Sequence, residues 1–290
     1  YIICIGVIHH NADPRATLSC LVAGLEDDGV LELMVYNRFQ RVEAVAMQKA
    51  LRLLAADHAD PDDTLQLSLA KRLIDGLDGE SDALDVLRKL RFNQAEFVNT
   101  FIQPVEWSYT VHSLAALARS AGAVLWLPTQ TVGDSSTRRH WALSFSDAYL
   151  RERYRSLPDI DRWQLVNLLM AERSPALWFY LRPARIPRPP FLSDEVAARF
   201  LDTRFGHAST MATGFVRDAR FGTCAPYGRP RRHPPGLPAA RVRGLFDAAD
   251  GTATMRDLLS APGQEELRDD LWGTRLSLAV PLAPFLMAAP

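Results

Sequence analysis

Tyr1-Ile-Ile-Cys-Ile-Gly-Val-Ile-His-His10, followed by Asn11-Ala-Asp-Pro14, opens the chain with an apolar strand, a Gly turn and a polar loop. Arg15 to Leu25 has helical character, Glu26-Asp-Asp-Gly29 turns the chain, and Val30-Leu-Glu-Leu-Met-Val-Tyr-Asn-Arg38 is a second apolar strand. Strand, loop, helix, turn and strand within forty residues predict one parallel α/β unit. Ligands of open α/β sheets bind at the carboxyl ends of the strands, so Cys4 to His10 and Tyr36 to Arg41 are the stretches in which function is sought.

Residues 1 to 41 resemble the second half of class I S-adenosylmethionine-dependent methyltransferases, in which a Gly-Val-Leu-His-His-x-x-Asp-Pro stretch follows the fourth strand. Here the corresponding residues are Gly6-Val-Ile-His-His10 and Asp13-Pro14. The resemblance implies a Rossmann-like α/β sheet with its amino-terminal strands missing, a helical insertion, and a small carboxyl-terminal, mainly helical module. That family holds its cofactor on a Gly-rich loop after its first strand, and no Gly-x-Gly pair occurs in these residues. The expectation is therefore a fragment of a longer enzyme, itself inactive.

Farther along, Val42, Val45, Ala46, Leu51, Leu53 and Leu54 recur at near-helical spacing, which predicts an amphipathic helix from Arg41 to Ala56. Helices are expected at Thr64–Leu77, Ser81–Leu90 and Asn93–Ile102, the last stopped by Pro104. Together, residues 42–104 read as a helical lid over the strand ends. Thr110 is placed to cap a helix whose apolar face is Val111, Leu114, Leu117 and Ala118, with Gly122 closing it before the strand Ala123–Leu127. In the resemblance these are the last helix and the sixth strand. The pattern Pro104-x-Glu106-x-Ser108-Tyr-Thr-Val111-x-x-Leu114 is similar to one bacterial branch of the family. A helical stretch, Ser146–Glu172, leads to Ala176-Leu-Trp-Phe-Tyr-Leu-Arg182, the seventh strand, which the resemblance inserts antiparallel.

Pro183-Ala-Arg-Ile-Pro-Arg-Pro-Pro190 neither continues a helix nor pairs in a sheet, so domains are expected at 1–185 and 191–290. In the second, Phe221–Pro238 is dense in Gly and Pro and reads as irregular, Arg241–Gly251 as a short helix with an Asp-Gly turn, and Thr254 as a cap with Asp257 three residues on. This part loosely resembles winged-helix modules, and plain packing outweighs a regulatory or peptide-docking role.

Composition narrows the function classes. A chain of 290 residues, 48% hydrophobic and with a net charge of -1, has the material for a core and two domains and no basic excess for nucleic acid. Arg229-Pro-Arg-Arg-His233 reads as a solvated linker. No apolar run approaches the roughly 18 residues of a membrane span. Cys4, Cys20 and Cys224 form no Cys-x-x-Cys pair, so reduced thiols in a cytoplasmic protein are expected, with Cys4 and Cys20 as small buried residues.

At the site itself, adjacent His9 and His10 are a poor metal pair, and no metal is expected. Their two remaining readings stand at even weight: packing against the sheet and the next helix, or an active-site role in which one imidazole orients the acceptor or takes its proton. The resemblance sets Ile5, Gly6 and Val7 beside the methionine part of S-adenosylmethionine, Gly6 for clearance, and makes His10 and His9 the catalytic candidates. Tyr36, Asn37 and Tyr109 are the substrate-binding candidates, with Trp107 beside them. Arg38 and Arg41 read better as a solvated turn. Trp163 and Asn167 share a helix face, as pocket wall or, more often, core. The sulfonium is already activated, so the absence of a Ser-His-Asp set or carboxylate pair agrees with methyl transfer. A small-molecule acceptor is preferred to a peptide. The rivals are a nucleotide-dependent oxidoreductase and a non-catalytic binding protein on a degenerate methyltransferase fold.

Overall fold

In a computed structural model the chain is described at residues 1–56, 63–76, 97–102, 105–128, 141, 143, 145–171, 176–187, 189–190, 193–207, 215–218, 223–226, 240–279 and 286–289. It is a mixed α/β protein that divides into two compact units. The first comprises Tyr1–Pro128 and Gln164–Ile186, the second Thr129–Trp163 and Pro187–Pro290. Residues 129–163, read from sequence as part of the first unit, thus group with the second.

The first unit is built on a four-stranded sheet of β1 (Ile2–Ile5), β2 (Leu31–Val35), β3 (Ala123–Pro128) and β4 (Leu177–Pro183), in the order β1-β2-β4-β3. β1 and β2 are parallel, with Cys4 opposite Leu33, and α1 (Pro14–Ala23) connects them. β4 enters antiparallel between β2 and β3, with Leu33 opposite Phe179 and Leu125 opposite Leu181. This is the antiparallel insertion expected of Ala176–Arg182.

Alternation along the strands sends one set of side chains to a sealed face: Cys4, Leu31, Leu33, Val35, Leu125, Leu127, Leu177, Phe179 and Leu181 are all buried. Burying a side chain such as Phe179 contributes about 2–3 kcal/mol. α4 (Val111–Ser120) packs on β3 and α1, burying Val111, Leu114, Ala115 and Ala118. Its start is fixed by a reciprocal cap: Thr110 Oγ1 accepts from Ser113 N at 3.2 Å, and Thr110 N donates to Ser113 Oγ at 2.9 Å. Gly122 follows its end at φ +78°, a left-handed conformation that glycine adopts without cost.

α2 (Val42–Leu54) forms where an amphipathic helix was expected, but on a different face. It buries Ala44, Met47, Gln48 and Leu51, spaced i, i+3, i+4 and i+7, whereas Val42, Leu53 and Leu54 are exposed. The count of apolar residues pointed one way, and Arg41 and Gln48, which are buried beside polar partners, turned the helix the other. α3 (Asp63–Gly76) and a π-helical turn at Val98–Ile102 join α2 in a separate apolar cluster that includes Ala70, Phe97, Phe101 and Ile102. The helix expected at Ser81–Leu90 lies outside the described residues, as does the start of the one at Asn93.

Cys4 is buried as expected, but Cys20 is exposed. Leu18 and Val22 occupy the buried face of α1, and a residue two steps from each stands on the opposite side.

The second unit holds α5 (Ala148–Ser156) and the beginning of α6 (Asp159–Met170). The single helix expected over Ser146–Glu172 is broken at Leu157-Pro158, where proline lacks the N–H of a continuing helix. It also holds α7 (Asp194–Asp202), β5 (Phe205–His207), β6 (Phe215–Asp218) and β7 (Thr223–Pro226). α8 (Arg243–Ala248), α9 (Met255–Ser260), α10 (Glu265–Asp269), α11 (Leu271–Leu278) and β8 (Leu286–Ala288) complete it. β5 pairs with β8 and β6 with β7, both antiparallel. Thr223–Pro226 is therefore a strand within a stretch read as irregular, while residues 229–233 lie outside the described ones. Phe200, Phe205, Leu245, Phe246, Met255, Leu259 and Leu278 form its core. Asp270 accepts from Arg241 at 2.8 Å and pairs with Arg155 at 3.6 Å, joining residues 129–163 to the carboxyl-terminal helices. Thr254 and Asp257 make the capping box read from sequence. No helix among the described residues is long and apolar enough to cross a membrane.

Candidate functional site at the strand ends

β1 ends at Gly6, whose N–H donates to Met34 O at 3.3 Å and whose φ is +73°. A Cβ there meets no protein atom closer than the Met34 methyl at 3.9 Å, so within the protein it is the backbone conformation that requires Gly6. The left-handed residue turns the chain into a single 3₁₀ turn, Ile8–His10, and Asp13 then caps α1 by accepting from Ala16 N at 2.9 Å. Ile5 and Val7 remain 40% and 52% exposed, an apolar rim at the end of the strand.

The segment 105–110 is laced to both strand ends. Trp107 N donates to His9 O at 2.8 Å, and Trp107 Nε1 donates to Asn11 O at 3.1 Å. Tyr109 N donates to Tyr36 O at 2.9 Å, and Arg38 N donates to Tyr109 O at 2.8 Å. His9, His10, Tyr36, Asn37 and Tyr109, chosen from separate parts of the sequence, are thereby brought together. Trp107 stays half-exposed.

The two histidines differ. His9 is fully buried, its ring 3.9 Å from Tyr36 and 4.4 Å from His10 between centroids. Neither of its nitrogens has a hydrogen-bond partner among the described residues. Burial, then the neighbouring His10, push its pKa down to about 4, with Glu106 opposing and Arg41 adding to the fall. His9 is accordingly neutral at pH 7. His10 is half-buried, and its Nδ1 lies 3.1 Å from Val105 O. A carbonyl only accepts, so Nδ1 carries a hydrogen and Nε2 is the nitrogen left for a ligand.

Asn37 is fully buried, and its Oδ1 accepts from Phe39 N at 3.1 Å and from Asn167 Nδ2 at 3.3 Å. Gln164 Oε1 accepts from His112 N at 2.8 Å in the first turn of α4. Asn167 and Gln164 thus act as core amides that hold the strand end and the helix start. Tyr109 is buried, which pushes its phenol up to about 12.

Arg41 is not the solvated turn residue expected. Its Nε donates to Glu106 Oε1 at 2.8 Å and its Nη2 to Glu106 Oε2 at 2.5 Å and to Thr100 O at 2.8 Å. Gln48 Nε2 donates to the same carboxylate at 2.9 Å, and the Arg41 guanidinium lies 4.3 Å from the Tyr36 ring centroid. Glu106 and Gln48 were missed as site residues. The signal for Glu106 was a carboxylate between apolar Val105 and Trp107, which has no reason to be buried without a cation.

No protein family matches the chain. It is similar to an uncharacterized protein of Synechococcus sp. (strain PCC 6301), 27% identical over 182 residues that span 58% of this chain and 40% of the relative. Among solved structures it is similar to PKMT2 from Rickettsia typhi, at a TM-score of 0.48 and 10% identity, covering 99% of this chain and 57% of that one. The structure of PKMT2 in complex with AdoHcy gives a TM-score of 0.47 and 10% identity, covering 94% of this chain and 55% of the other. The chain thus spans less than two thirds of the length of the proteins it matches.

Chemically, the strand ends offer an apolar rim at Ile5 and Val7, a neutral buried imidazole, a second imidazole whose Nδ1 donates to the Val105 carbonyl, and a buried ion pair. They suit the orientation of a ligand and the acceptance of a single proton.

Proposed function

We propose that the intact protein transfers a methyl group from S-adenosylmethionine to a small-molecule acceptor. The observation that carries this reading is the sheet order β1-β2-β4-β3 with β4 antiparallel, which sets the Gly6-Val-Ile-His-His10 turn and the Tyr36-Asn37 strand end side by side. That arrangement supports a Rossmann-like methyltransferase sheet of which these are the later strands. The fit for the cofactor is the exposed apolar rim of Ile5 and Val7 about the left-handed Gly6, which would border its methionine part.

When bound, S-adenosylmethionine supplies an activated methyl group, and the protein's task is alignment and the exclusion of water. Tyr36, Asn37 and Tyr109 line the acceptor side. His10 Nε2 takes the acceptor's proton, and neutral His9 supplies a hydrogen-bonding nitrogen without a partner among the described residues. A small acceptor is favoured over a peptide because segment 105–110 closes against both strand ends through its backbone.

Isothermal titration of S-adenosylmethionine into the intact protein is expected to show saturable binding, retained in His10→Ala. Transfer of labelled methyl is then followed into the low-mass and the protein fractions of a cell extract. Label is expected in the low-mass fraction, reduced roughly 10²-fold by His10→Ala. Absence of binding removes the reading, label in protein moves the acceptor to a peptide, and binding without transfer leaves a non-catalytic protein. A lowered melting point with normal turnover in folded His10→Ala would remove the proton-transfer role.

A further inference from the structure

Arg41 and Glu106 lie sixty-five residues apart in sequence and form a two-point ion pair, with side-chain exposures of 11% and 2%. Burying a charged pair is costly, and breaking one by removing a partner typically costs more than the pair returns, so such a pair seldom persists without a task. Its position indicates what that task is. The guanidinium touches the Tyr36 ring at 4.3 Å, and that ring touches the His9 imidazole at 3.9 Å. A continuous chain of contacts runs from Glu106 through Arg41 and Tyr36 to a fully buried histidine whose two nitrogens have no partner among the described residues.

We propose that Arg41, anchored by Glu106, is a positioning residue for the candidate site: it holds the Tyr36 ring in place and, through that ring, the buried His9 imidazole that lies tilted against it. Tyr36 belongs to the end of β2, Arg41 to the start of α2 and Glu106 to the segment laced over both strand ends. Gln48 of α2 and the Thr100 carbonyl complete the anchor, at 2.9 Å from Glu106 Oε2 and 2.8 Å from Arg41 Nη2 respectively. The guanidinium makes three hydrogen bonds there and meets the ring with its remaining face, a division of labour that a lysine ammonium, compact and without a planar fork, does not reproduce. An uncharged His9 retains a lone pair and one N–H in the same place, so it can accept from or donate to a bound ligand. The titratable and charged groups that act on it are His10 on the same turn, Arg41 from the β2–α2 junction and Glu106 from the overlying segment.

This deepens the methyl-transfer reading, on which it rests for the meaning of the site, but its test needs neither cofactor nor acceptor. The imidazole signals of the 290-residue chain are followed by NMR against pH, with His9 assigned from His9→Gln, in Arg41→Gln, Arg41→Lys and Glu106→Gln. Loss of the cation in Arg41→Gln is expected to move the His9 titration up, and loss of the carboxylate in near-isosteric Glu106→Gln to move it down. Arg41→Lys is expected to keep the titration low, since the charge remains, while the ring-current displacement of His9 by Tyr36 is lost with the planar contact. A pair that merely stabilises the fold would instead loosen the site in every variant and move the titration toward its ordinary value in all three. Movement in the same direction in Arg41→Gln and Glu106→Gln, or no movement in either, overturns the proposal. Should Arg41→Gln not fold, a rise in Glu106→Gln overturns it alone. Failure of cofactor binding in the intact protein would leave these titrations untouched, so the two ideas fail separately.

Discussion

At the scale of single residues, His9 has the most direct measurable consequence. In the folded chain its pKa is pushed down to about 4, whereas in an unfolded chain a histidine takes up its proton near 6.5. Between those values the unfolded state holds one more proton than the folded one, so stability falls as pH drops through the window, by about 1.4 kcal/mol per pH unit for that one proton. Urea denaturation of the wild type and of His9→Gln should therefore show a stability difference that shrinks between about pH 7 and about pH 5. A difference that stays constant over that range would show that His9 takes up its proton in the folded chain as readily as in the unfolded one. Gly6 belongs at this scale too: at φ +73° any side chain is strained, so a loss of ligand affinity in Gly6→Leu has to be separated from a loss of fold. The identity of Gly6 was legible in the sequence; the reason for it was not, because clearance and left-handed conformation both select glycine.

At the scale of elements, the caps were the most readable feature. A Thr three residues before a Ser and a Thr three residues before an Asp each satisfy helix N–H groups locally, without help from distant parts of the chain. Thr110→Ala is expected to destabilise the first unit by about 1 kcal/mol. Because Tyr109 and the strand-end ladder directly precede the cap, amide hydrogen exchange of Tyr109 N should accelerate in the same variant. Unchanged exchange at that amide would mean that the ladder, and not the cap, holds the segment. Periodicity served less well in α2. Val42, Val45, Ala46, Leu51, Leu53 and Leu54 were read as its apolar face, yet of these only Leu51 is buried, together with Ala44, Met47 and Gln48. Hydrophobic counting assumes that polar residues face water, and here Gln48 is drawn inward by Glu106. α5 and α6 failed as one helix for a simpler reason, Pro158, which the pattern of charged residues on either side obscured.

At the scale of the whole molecule, the boundary near Arg185 and the grouping of residues 129–163 lead to different outcomes on cleavage. Arg185 has a half-exposed side chain paired with Asp27 at 2.6 Å, and Ile186 follows it, so the Arg185–Ile186 bond is the expected first tryptic cut; Arg182 and Arg188 both precede proline. If 1–185 and 191–290 were independent domains, the nicked chain would release a smaller piece. Since residues 129–163 pack with the carboxyl-terminal helices through pairs such as Arg155–Asp270, the two fragments are expected to co-elute on native gel filtration and to separate only in denaturant. Release of a free carboxyl-terminal fragment under native conditions would reject that grouping, and first cuts inside residues 108–127 would reject the boundary.

What the sequence by itself determined is local and repetitive: the strand-helix-strand opening, the capped helix at Val111–Ser120, and the apolar run that becomes β4. Period, capping chemistry and glycine position are properties of neighbouring residues, so they can be read without the fold. The meeting of His9 with Tyr36 and Tyr109 was anticipated only as far as the strand ends share an edge of the sheet. The Arg41–Glu106 pair, the exposure of Cys20, the face of α2 and the grouping of residues 129–163 were decided by tertiary structure alone. Each depends on which distant group lies opposite. A buried charge is tolerated only beside its counter-ion, and across a separation of sixty-five residues the chain carries no mark of which carboxylate that will be.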